Sequence, residues 1–165
     1  MMLRAYIPMA SALLGAFIGG TVSWLNLNRQ FKVQRKRDIA QERKSERIAL
    51  NSVRKEIEFN LVQLIHIKQM MQESGWEVYD FQASKQYSNL KNDKWIKHSD
   101  TIEFIEQLDD KDEHSLFSNL QYFYYVMGIY VNEHKVDLKG VTELLPLGSL
   151  ISGQIKVVQE ELKPK

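Results

Sequence analysis

The chain has 165 residues, 44% apolar and 26% charged, which allows one modest folded domain plus an appendage and argues against global disorder. It has no cysteine, which excludes disulfides, thiol nucleophiles and Cys-ligated zinc or iron–sulfur sites. The net charge of +1 conceals a division: residues 29–55 hold ten Lys/Arg against three Asp/Glu, whereas residues 56–165 hold eleven Lys against eighteen Asp/Glu.

Between Ala5 and Asn28 the only ionisable side chain is the phenol of Tyr6. These 24 positions reach roughly 36 Å as a helix, and a hydrocarbon core of about 30 Å needs about 20 such residues. Tyr6 and Trp24 lie near its two ends, where amphipathic rings favour the headgroup level. Pro8 falls near the first turn, where a missing N–H costs little. A buried core helix would need fewer apolar residues. A cleaved export signal would need a stronger basic start than Arg4 and a better cleavage site than the small residues before Trp24. The reading adopted is a retained transmembrane helix. Arg29, Lys32, Arg35, Lys36 and Arg37 follow it at once, and only Arg4 precedes it. The positive-inside rule then places the N-terminus outside and the remaining chain in the cytoplasm, at the cell (inner) membrane. Ser11, Gly15, Gly19 and Ser23 form a small-residue stripe of the kind that lets helices approach closely in lipid, which makes a homo-oligomer a candidate.

Residues 29–47 read as a basic juxtamembrane helical stalk. The apolar positions of residues 32–47, Val33, Ile39 and Ala40, are too few for a coiled-coil seam. The five basic residues set topology and contact anionic lipid headgroups. Nucleic acid is not expected, because aromatic residues are not interleaved with the charge and the domain beyond is acidic.

From residue 48 a helical period appears in Leu50, Val53, Ile57, Leu61, Leu64, Ile65 and Met71. Gly75 reads as a left-handed stop, with Trp76 folding back toward Met71. Residues 76–95 are rich in rings: Trp76, Tyr79, Phe81, Tyr87 and Trp95. They are either core or a partner-binding surface. Asp80 is placed as the N-cap of a short helix through about Leu90, and residues 92–100 as a connection. Asp100 with Glu103 resembles a capping box opening a helix through Leu108. Residues 109–115 read as a polar turn. Residues 116–131 are apolar on most sides and should form the most buried helix. Thr142 is placed as the cap of a last helix with Pro146 near its first turn, and Leu147, Ile151, Ile155, Val158 and Leu162 form its apolar stripe. No strand alternation is evident.

The expected fold class is all-α: one N-terminal transmembrane helix (1–28) continuing into the basic stalk (29–47), plus a small acidic cytoplasmic helical bundle (48–165). This plan is similar to that of many short bacterial and phage proteins, with no motif tying it to a family. No phosphate loop, dinucleotide fingerprint or nucleophile elbow is present. Gln63, Trp95, Lys111 and Val131 stand three residues before the four histidines, so no Glu-x-x-His pair exists for a di-metal site. His98 with Asp100 reads as an ordinary loop pair, and the small residues of 148–153 as close helix packing. No catalytic, cofactor or metal residue is assigned. The expectation is therefore a non-enzymatic, membrane-anchored protein whose helical domain binds or regulates an unidentified protein partner. The alternative is a membrane effector acting through self-association of its transmembrane helix.

Overall fold

The structure, a computed structural model, describes residues 3–82, 89–106 and 115–163, with side chains described for all of these except 3–15 and 104–106. Four helices, α1 (Leu3–Ser74), α2 (Asp93–Glu106), α3 (Leu116–Glu133) and α4 (Leu138–Glu161), dominate it. Two short strands, β1 (Val78–Asp80) and β2 (Lys135–Asp137), complete the set. The chain divides into two compact units, Met1–Glu42 and Arg43–Lys165. Among the described residues no helix is long and apolar enough to cross a membrane.

The second unit holds the core. Leu50, Val53, Ile57, Leu64 and Met71 of α1 are fully buried, as their spacing predicts. Ile65, assigned to the same stripe, is exposed instead, and Ile67 is buried in its place. Gly75 ends α1 with φ of 70°, and Trp76 N–H donates to Met71 C=O at 2.9 Å, the expected left-handed stop.

The chain beyond Gly75 corrects several expectations. β1 and β2 pair antiparallel with Tyr79 opposite Val136, although no strand is expected from the sequence. Three residues with a single inward side chain each are too short to display alternation. Asp80 ends β1, and its Oδ1 accepts from Gln82 N–H at 2.9 Å; residues 83–88, on which most of the expected short helix falls, lie outside the described residues. Residues 92–100 are not a connection. α2 already starts at Asp93, so Asp100 and Glu103 lie inside it and form no capping box. The expected polar turn 109–115 lies outside the described residues except for Ser115, whose side chain accepts from Ser118 N–H and caps α3.

α3 buries one side only: Leu120, Phe123, Tyr124, Met127 and Tyr130. Tyr122 and Tyr125 face outward. A tyrosine tolerates this because its hydroxyl is satisfied by water. His134 leaves α3 in the left-handed region and feeds β2. Asp137 then caps α4, accepting from Gly140 N–H at 2.7 Å. The helix therefore starts before Thr142, and Pro146 sits in its interior. That placement removes one intrahelical bond at a cost of roughly 3 kcal/mol. Buried Val141, Leu144, Ile151 and Ile155 on both sides of the proline offset it. Gly148 lets α4 approach its neighbours: a Cβ there would meet Leu61 at 2.7 Å and Phe123 at 3.0 Å. The expected close packing of 148–153 is thus found at Gly148, while a Cβ at Gly153 would meet nothing within 4 Å.

Candidate functional site

The first candidate is the charge-free helical stretch with its basic flank. Side chains are described for residues 16–28 of it, and those of 16–27 are all exposed. Phe17, Ile18, Val22, Trp24, Leu25 and Leu27 are exposed on α1. Among the described residues of this unit nothing covers them. Trp24 is 64% exposed, and a Cβ added at Gly19 or Gly20 would meet no atom within 4 Å. Ser23 is exposed on the same stretch. The side chains of Tyr6, Ser11 and Gly15 lie outside the described residues. Arg29, Lys32, Arg35, Lys36 and Arg37 are exposed. The ion pairs among the described residues, Arg54–Glu58 and Lys163–Glu160, involve none of the five.

The second candidate is the aromatic set 76–95, which the fold distributes over three environments. Tyr79 and Phe81 are buried and meet edge-on, with centroids 5.3 Å apart at 81°. Trp95 stacks on Tyr124 of α3 at 5.2 Å and 3°, and touches Phe117 at 5.6 Å. Trp76 lies 6.1 Å from Tyr79 and remains 48% exposed. Tyr87 lies outside the described residues. The described rings of this set therefore form no single continuous face.

Sequence reasoning missed the polar cluster that holds α2 against α1. Glu56 is only 5% exposed. Its Oε2 accepts from Lys94 N–H at 2.8 Å, and its Oε1 accepts from Trp95 N–H at 3.1 Å and from the Tyr124 hydroxyl at 2.9 Å. A carboxylate from a distant helix thus satisfies two of the free N–H groups at the start of α2. One turn on, fully buried Asn60 grips the segment that leads into α2. Its Oδ1 accepts from Lys91 N–H at 2.9 Å, and its Nδ2 donates to Lys91 C=O at 2.6 Å. Lys91 Nζ lies 4.3 Å above the Phe59 ring. The available signal is two polar residues four apart inside the apolar stripe Val53–Ile57–Leu64. Burial, then the Glu56 carboxylate, pushes the Tyr124 hydroxyl well above the ordinary tyrosine range. With its oxygens engaged by three donors, Glu56 serves as a clamp.

A second such knot joins α3 to α4. Tyr130 OH donates to Asp137 Oδ2 at 3.3 Å, and burial followed by Asp137 raises its pKa. His98 is pushed below the ordinary imidazole value, by burial first and then by Lys97 and Lys94. The neighbouring Asp100 carboxylate lies 3.4 Å from Ser99 Oγ. Among the described residues no cluster of three His, Asp or Glu side chains suits a metal ion.

These features define a mostly helical protein: a small bundle closed by a two-stranded sheet, preceded on the same first helix by an exposed apolar stretch with a basic flank. No protein-family model, curated protein or solved structure matches the chain.

Proposed function

We propose that the chain is a single-pass membrane protein, with residues 5–28 in the bilayer, the N-terminus outside and the bundle in the cytoplasm. There the bundle binds or regulates a protein partner. The observation that carries this reading is the charge-free stretch of α1 whose described side chains 16–27 are exposed on all sides and followed at once by five basic residues. A charge-free stretch with this many exposed apolar side chains is stabilised by a non-aqueous surrounding. Moving Phe17, Ile18, Val22, Leu25 and Leu27 out of water is worth roughly 10 kcal/mol in total. Arg29, Lys32, Arg35, Lys36 and Arg37 add about 1 kcal/mol each near anionic headgroups. Support for a binding role comes from exposed apolar side chains on the bundle: Val62 and Ile65 on α1, Tyr122 and Tyr125 on α3, and Trp76. In-cell crosslinking of the full chain followed by mass spectrometry tests it. The expected product is a crosslink between the bundle and a second protein species in the membrane fraction. Recovery of the uncrosslinked monomer alone, from the soluble fraction, would contradict both halves of the proposal.

A second reading has its own observation. The open side formed by Gly19, Gly20 and Ser23 suits close self-association in lipid. If the protein acts as a membrane effector in this way, overexpression depolarises cells and Gly15→Leu with Gly19→Leu abolishes the effect. An unchanged membrane potential on overexpression would remove this reading.

A further inference from the structure

We propose that a groove between α1 and the last turn of α4 is a binding site for a phosphate-bearing anion, either the phosphate of a lipid headgroup or free phosphate. The groove measures about 410 Å³ and presents Lys44 and Arg47 from α1 together with Lys163 from the end of α4. Asn51 and Gln159 add polar groups, and Glu160 is the one acid lining it. The groove joins the end of the basic stretch, residues 29–55, to a single lysine of the otherwise acidic part of the chain.

Three observations make it more than a scatter of surface charge. Arg47 is half-buried, yet among the described residues it pairs with no carboxylate. A partly desolvated guanidinium without an anion gains more from one than an exposed side chain does, and its planar fork matches phosphate oxygens. The two walls are tied together, because Gln159 Nε2 donates to the Arg47 carbonyl at 3.4 Å. Arg54 holds the groove residue Asn51. Its Nη2 donates to Asn51 Oδ1 at 3.1 Å and its Nη1 to Glu58 Oε1 at 3.0 Å. Its buried Nε has no partner among the described residues. With its oxygen engaged by Arg54, the Asn51 side chain has its amide N–H groups left to offer.

The C-terminal end of the α4 dipole repels anions, so side chains alone hold the ligand. Lys163, paired with Glu160, is shared between that carboxylate and the incoming phosphate. Glu160 therefore acts as the competing anion. The lipid form of this proposal rests on the membrane reading above, whereas the anion chemistry of the groove does not.

The test uses the full chain in uncharged maltoside micelles and follows backbone and side-chain NMR signals. One titration adds inorganic phosphate at constant ionic strength, and another dopes the micelles with phosphatidic acid. Saturable shifts at Lys44, Arg47, Gln159 and Lys163 are expected. Lys44→Gln with Arg47→Gln should weaken binding at least about tenfold. Glu160→Gln should strengthen it by about threefold, the effect of removing one competing surface charge. Response to the doped micelles alone assigns the groove to a headgroup, and response to both probes assigns it to phosphate in general. Silence with both probes would overturn the proposal, as would saturable binding that the double variant leaves within twofold of the parent. Shifts confined to residues 29–37 would also overturn it while leaving the membrane anchor intact. A chain that stays soluble without micelles would remove the anchor, and the phosphate titration would still decide the groove.

Discussion

Replacing Glu56 by Gln keeps the shape of the side chain and removes its charge. In the structure its two oxygens take three donors: the N–H groups of Lys94 and Trp95 and the Tyr124 hydroxyl. An amide has one oxygen to offer and turns a donor toward the remaining group. Leaving one buried donor unpaired costs about 1–3 kcal/mol. Losing the negative charge at the start of α2 adds about 0.3–1 kcal/mol. The expected loss is therefore about 3 kcal/mol, or a fall in Tm on the order of 10 °C for a domain of this size. Urea unfolding of the full chain in mild detergent, followed by near-UV circular dichroism, measures it. Tyr124→Phe alone should cost about 1 kcal/mol. In the Glu56→Gln background it should cost less, because it removes the donor left without a partner. A Glu56→Gln loss under about 1 kcal/mol, or strictly additive costs in the double variant, would refute the clamp.

Gly153→Ala in α4 meets open space and should stabilise the bundle by up to about 1 kcal/mol, since glycine is a poor helix former. Gly148→Leu must displace Leu61 and Phe123 and should destabilise it by about 1–3 kcal/mol; equal urea midpoints for the two variants would contradict the packing described. Alkaline pH provides a further test. The folded-state pKa values of Tyr124 and Tyr130 are raised, by burial first and then by Glu56 and Asp137 respectively. Their contribution is thus fully present below the unfolded tyrosine value near pH ~10 and is lost as pH rises above it. The urea midpoint should fall more steeply above pH ~10 in the parent than in Tyr124→Phe, and parallel curves would count against the buried hydroxyl.

The parts of this fold that were legible in the sequence are those governed by local periodicity and stop chemistry. The stripe from Leu50 to Met71 and the Gly75 stop need only helix geometry and a left-handed glycine. The start of α2 was not legible, because its cap comes from Glu56, nearly forty residues earlier in the chain. The nearby capping-box pattern, Asp100 with Glu103, lies inside the helix. The sheet was hidden for a similar reason. Tyr79 pairs with Val136 from across α2 and α3 in the chain, and neither strand is long enough to show a period. Pro146 misled in the opposite direction: local rules end or begin a helix near it, whereas buried residues on both sides carry α4 through. Among the candidate site residues, burial of Tyr79 and Phe81 depends on that same sheet.

The central claim is that the apolar part of α1 is a membrane anchor with the bundle on the cytoplasmic side. Because the chain has no cysteine, single cysteines can report on it without background. Met2→Cys and Lys139→Cys, the latter exposed on α4, would each be treated in intact cells with a membrane-impermeant maleimide. The account predicts that Met2→Cys reacts before lysis and Lys139→Cys only after it, with both chains resisting extraction at alkaline pH. Labelling of Lys139→Cys in intact cells, or release of the chain by the alkaline wash, would contradict it.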